Sequence, residues 1–100
     1  MSFIKSELEF KIFCIEIECF KNKKKQWSEI VFIVSENKDI AKLIAKQLES
    51  STNWSMDILP KPKLNTIKEI KDKDEFQKFL SENNLNENEL TIFRQEDFSL

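Results

Sequence analysis

Apolar and polar residues alternate over residues 8–20, but the alternation changes phase midway. Leu8, Phe10, Ile12 and Cys14 share one side, with Glu7, Glu9 and Lys11 opposite. Further along, Phe13, Ile15, Ile17 and Cys19 are the apolar set, with Glu16 and Glu18 opposite. A period of two predicts a strand. The phase change predicts a bulge or strong twist near Phe13, because one extra residue flips every later side chain to the other face. A strand covered on both sides at its middle would read the same way.

A polar connection over residues 21–26 has the length of a hairpin loop. The run Ile30, Val31, Phe32, Ile33 and Val34 then has no polar interruption, which predicts a central strand buried on both faces. Ser35 or Asn37 is placed to cap a helix, with Glu36 and Asp39 near its positive end. Ile40, Ala41, Leu43, Ile44, Ala45 and Leu48 supply the apolar stripe of that helix, which reaches about Glu49. Trp54, Met56 and Ile58 alternate as a further strand, which Pro60 and Pro62 are expected to end.

Residues 64–70 suit strand or helix; the preceding Pro-x-Pro turn favours strand. Asp72 and Glu75 form a capping box ahead of Phe76, Phe79 and Leu80, one face of a second helix to about Asn83. Leu90, Thr91, Ile92 and Phe93 make a last strand, followed by a loose tail over residues 95–100 that Phe98 can anchor. The order ββαβ(β)αβ, taken as one domain over residues 1–100, predicts an α+β fold. Its expected form is an antiparallel sheet with two helices on one face, the ferredoxin-like split βαβ arrangement with an extra N-terminal strand.

Composition narrows the chemistry. The chain has no glycine and no histidine. Glycine-rich phosphate loops, dinucleotide turns and the nucleophile elbow are excluded, as are Ser-His and Cys-His couples and histidine zinc sites. Glu16 with Glu18, and Glu36 with Asp39, are the carboxylates available to a hydrolytic cation, but these positions equally suit a solvated strand face and an ordinary first helical turn. No catalytic or metal residue is assigned, and no cofactor is implied.

Cys14 and Cys19 lie about 16 Å apart on an extended strand, on opposite faces and beyond disulfide reach. Two buried thiols in a reducing cytoplasm are expected. The start of the chain lacks the unbroken apolar run of a secretory signal. Residues 10–20 are too short and too interrupted to span a bilayer, so no membrane association is expected.

Net charge is −2, with Arg94 the single arginine. Lys21, Lys23, Lys24 and Lys25 beside Trp27, together with Lys38, Lys42 and Lys46 on one helix face, offer a nucleic-acid surface with a stacking platform. Interleaved acids partly neutralise it. The last stretch is acidic, through Glu82, Glu87, Glu89, Glu96 and Asp97, and suits a basic protein partner. Trp27, Trp54 and Phe98 flank turns or termini, where large aromatics serve as interface anchors, although Trp54 equally suits closing the end of the core. The composite expectation is a non-enzymatic binding module, an inhibitor, an immunity-type protein or an accessory subunit. Its partner surface draws on Lys23, Lys24, Lys25, Trp27, Glu87, Glu89, Glu96, Asp97 and Phe98. A homodimer along a strand edge is compatible with it. A nucleic-acid-binding domain is the alternative, and a carboxylate-metal hydrolase the third reading.

Overall fold

In the computed structural model, residues 10–50 and 57–98 are described. Strands β1 (Lys11–Lys21) and β2 (Lys24–Ser35) pair as a long antiparallel hairpin. The turn is only Asn22 and Lys23, with φ of 54° and 67°. Two left-handed residues match the right-handed twist of the flanking strands, and asparagine tolerates this conformation better than other residues with a side chain beyond Cβ. Lys23 has no such advantage. Lys23→Gly is therefore expected to raise stability by roughly 0.5–1 kcal/mol, the relief of left-handed strain less the entropy glycine adds to the unfolded chain. Thermal unfolding reads this directly, and a lowered melting temperature would contradict it.

The phase change in β1 is not a bulge at Phe13. Register with β2 is continuous from Lys11 to Cys19, and the irregularity falls between Cys19 and Phe20, where Gln26 is the extra residue on β2. Ile12, Phe13, Cys14 and Ile15 are all buried because this stretch is covered on both sides. Phe13, Ile15, Ile17 and Cys19 join Val31, Ile33 and helix α1 (Lys38–Gln47) in one core. Ile12, Cys14, Phe32 and Val34 join Phe76 and Leu80 of helix α2 (Lys73–Glu82) in another.

The helices therefore lie on opposite faces of the sheet, not on one face as expected, and the sheet is mixed. Strands β3 (Leu59–Pro62) and β4 (Lys68–Ile70) share the outer edge of β1, each antiparallel to it, while β5 (Ile92–Arg94) runs parallel to β2 on the other side. Only β1 runs against the rest. The β2–α1–β3 and β4–α2–β5 connections thus both join like-directed strands, and they cross the sheet in opposite senses. Crossovers of this kind are right-handed almost without exception. With equal handedness and opposite travel, the two helices must end on opposite sides. The ferredoxin-like expectation fails on this point, and the broader α+β class stands.

Several local expectations also change. Pro60 and Pro62 lie inside β3. The Lys63 amide donates to the Glu16 carbonyl at 2.9 Å, so alternation turns Lys61 toward β1 and leaves both proline nitrogens facing outward, where an edge strand needs no donor. Residues 64–70 split into a 3₁₀ turn, Leu64–Thr66, and β4. Thr66 spans the gap between the two short strands, accepting from the Glu16 amide at 3.0 Å and donating to the Lys63 carbonyl at 2.7 Å. Leu43 is 49% exposed and outside the core. Trp54 and Met56 lie outside the described residues, as do Leu8, Glu7 and Glu9.

Both helices are capped as the sequence predicts. Asn37 Oδ1 accepts from the Ile40 amide at 2.9 Å, and Asp72 Oδ1 from the Glu75 amide at 2.8 Å. Ser35 is buried, and its hydroxyl donates to the Asn37 carbonyl. The exit of α2 is a Schellman motif. The Leu85 amide reaches the Leu80 carbonyl at 2.9 Å and the Asn84 amide the Ser81 carbonyl at 3.3 Å, around Asn84 at φ 54°. This bend aims the following loop back under the sheet. Of the tail expected to be loose, residues 95–98 are held, since Gln95 Oε1 accepts from the Glu36 amide at 2.9 Å and the Phe98 ring meets Phe93 edge-on at 6.1 Å, while residues 99 and 100 lie outside the described residues. No helix among the described residues is long and apolar enough to cross a membrane.

Candidate functional site

The second face of the sheet is only half covered. Helix α2 sits over Ile12, Cys14, Phe32 and Val34, but toward the hairpin the same face carries Glu16, Glu18, Ser28 and Ile30, and none of these is buried. The loop leaving the Schellman turn passes beneath this open half. Between them lies a cleft of about 600 Å³, with Glu16, Ser28 and Ile30 on one wall and Asn84, Leu85, Glu89 and Leu90 on the other. Its lining includes the carboxylates of Glu16 and Glu89 and no basic residue, while Glu29, at its rim, turns its own carboxylate to the reverse face.

The cleft adjoins an open strand edge. Strand β5 pairs with β2 only over Phe32, Ile33 and Val34, and among the described residues no strand covers β2 from Lys24 to Val31 on that side. The Phe32 amide donates outward to the Thr91 carbonyl at 2.9 Å, so Phe32 turns its backbone away from β1. Two and four residues earlier, Ile30 and Ser28 turn theirs the same way, because backbone groups alternate sides along a strand. The Glu16 backbone, opposite Ile30, is correspondingly engaged with Lys63 and Thr66 rather than with β2. On the reverse face of the same edge, the Trp27 indole is 40% exposed and its Nε1 donates to Glu29 Oε2 at 3.0 Å.

Of the residues singled out from sequence, Trp27 and Glu89 flank this edge from its two faces. Glu87 lies on the same 3₁₀ turn as Glu89, with Oε1 accepting from Gln77 Nε2 at 3.3 Å. Glu96 and Asp97 sit on a 3₁₀ turn past the far end of β5, packed toward α1, so the acidic C-terminal stretch is divided between two places. Phe98 is half-buried against Phe93. Lys23 and Lys24 are exposed at the hairpin, while Lys25 pairs with Glu18 at 3.2 Å. Lys38, Lys42 and Lys46 share a face of α1, but this helix begins beyond the other end of β2. An extended 12-residue strand is ~36 Å long against ~15 Å for the helix. The two lysine groups do not form one surface.

The carboxylates considered for a cation are also dispersed. Glu16 pairs with Lys63 at 3.6 Å, Glu18 with Lys25, and Glu36 accepts from Gln95 Nε2 at 3.4 Å. Among the described residues no group of three or more His, Cys, Asp or Glu gathers in a metal-binding arrangement. Both cysteines are buried and free, Cys14 in the core under α2 and Cys19 in the core under α1. Burial pushes the Cys14 thiol up to about 11, and Cys19 is raised by burial and by the negative charge of Glu29.

Ser28, Glu29 and Ile30 do not stand out in the sequence as site residues, because their neighbours read as a fully buried strand. Only the shortness of β5 exposes them. No protein-family model, no curated protein and no solved structure matches this chain.

Proposed function

We propose that the protein is a non-enzymatic binding module whose partner is another protein, in the manner of an inhibitor, an immunity-type protein or an accessory subunit. The observation that carries this reading is the half-open sheet face. It combines half-buried apolar side chains, Ile30, Leu85 and Leu90, with carboxylates and asparagines in a cleft, the mixture of an anchoring centre and a polar rim that protein interfaces use. A reducing compartment such as the cytoplasm suits the two free thiols.

Affinity capture from the cells that make the protein tests this reading when charge variants run beside the wild type. A co-purifying protein is expected at stoichiometric ratio, lost with the pair Glu16→Lys and Glu89→Lys, and retained when Lys23, Lys24 and Lys25 are all replaced by serine. The opposite pattern would favour nucleic acid. In that case the wild type would bind single-stranded oligonucleotides with an affinity that falls steeply as salt rises, and the triple lysine variant would show a shallower slope.

A further inference from the structure

We infer that the partner adds a strand to the sheet: an extended, basic segment of another protein pairs with β2 along Ser28 and Ile30, beside β5. This rests on the protein-binding reading and specifies its mode. Two observations converge on it. The first is the backbone itself. Ser28 and Ile30 present outward N–H and C=O groups with no partner among the described residues, next to the cleft of about 600 Å³. Such an edge is a template for another strand. The opposite edge is treated differently, since β3 turns two proline nitrogens outward there.

The second observation is charge, which identifies the occupant. Side chains of an added strand point alternately to the two faces of the sheet. On one face they meet Glu89, with Glu16 one strand further in and paired with Lys63; on the other they meet Glu29 beside the exposed Trp27 indole, where a cation gains both a carboxylate and an aromatic face. Lysine or arginine is thus favoured on either side. Lys24 and Lys25 repel positive charge at the hairpin, which sets the basic residues of the occupant toward the Thr91 end of the edge. A second copy of this chain would bring the same carboxylates against each other, so self-pairing is disfavoured.

Ser28→Pro separates this mode from binding in general. The Ser28 nitrogen faces away from β1, so proline removes an outward donor and obstructs an added strand while leaving the β1–β2 ladder intact. The probe is a fluorescent peptide of alternating lysine and valine, compared with a glutamate–valine peptide and with the lysine peptide N-methylated at every second residue. Wild-type protein is expected to bind the lysine peptide saturably, one to one, and to protect the Ser28 and Ile30 amides from hydrogen exchange. Ser28→Pro, N-methylation, and Glu89→Gln with Glu16→Gln should each weaken binding about tenfold or more, as expected for one or two lost net hydrogen bonds or charge contacts.

Circular dichroism and the melting temperature check that Ser28→Pro stays folded. Should it unfold, the N-methylated peptide makes the same test of strand addition on unaltered protein. Equal affinity for the N-methylated and parent peptides, no binding of the lysine peptide, or concentration-dependent dimers formed through this edge would each overturn the inference. If a captured partner is still lost with Glu16→Lys and Glu89→Lys but held by Ser28→Pro, strand addition fails and the protein-binding reading stands. If neither peptide nor protein binds, both fall.

Discussion

Replacing Phe32 with alanine is expected to destabilise the protein by ~3–5 kcal/mol, the usual cost of deleting a fully buried aromatic ring. Phe32 is completely buried at the centre of β2, between β1 and β5. Its ring makes edge-on contacts with Phe76 at 5.5 Å and Phe79 at 5.9 Å, so it helps fasten α2 to the sheet together with Ile12, Cys14 and Val34. Truncation loses the transfer of the ring from water and leaves a void that a strand flanked on both sides cannot collapse to fill. Leu43→Ala is the control. That side chain is half exposed on α1, and its loss should stay within about 0.5 kcal/mol. Urea unfolding of both variants measures the difference. A Phe32→Ala loss below ~1.5 kcal/mol would mean that α2 does not dock on this face.

Cys14 is expected to react with a thiol reagent at neutral pH at least about a hundredfold more slowly in the native protein than in denaturant. The attacking species is the thiolate, and raising the thiol from 9.0 to about 11 lowers its fraction by about that factor before steric protection is counted. Cys19, also buried and raised, should be slow too. Mild oxidation should form no bridge between them, because they sit on opposite faces of one strand, five residues and ~16 Å apart.

The sign of the pH dependence follows. The folded state holds the Cys14 proton more tightly than the unfolded chain. Its contribution to stability is therefore intact below about 9 and is lost as pH rises toward and through about 11. Cys14→Ala should flatten that alkaline decline. Fast native labelling of both thiols would show that β1 does not cross the core as an extended strand.

The site was only partly legible in the residues. Trp27 and Glu89 stood out as a large aromatic beside a turn and an acid in a polar loop. Both lie at the open edge because β2 outruns β5 there. Ser28, Glu29 and Ile30 gave no signal, since a residue on an uncovered edge and one on a paired edge have the same local sequence. Phe98 looked like an exposed anchor because it sits near the end of the chain; Phe93 half covers it.

What the chain alone determined is everything that depends on near neighbours. Alternation and the unbroken Ile30–Val34 run place β1 and β2, although Ile30 itself is only half-buried, and Asn37 and Asp72 start both helices through caps three residues long. The absence of glycine sends asparagine to two of the three left-handed positions among the described residues. Tertiary structure decided the rest. Whether β5 runs with or against β2, and on which face each helix lies, depends on how far and in which direction each crossover travels across the sheet. That is a choice among strand partners distant in sequence, and no local period records it. The double burial of β1 was visible as a phase change, yet only the second helix on the far face shows that coverage, not a bulge, produced it.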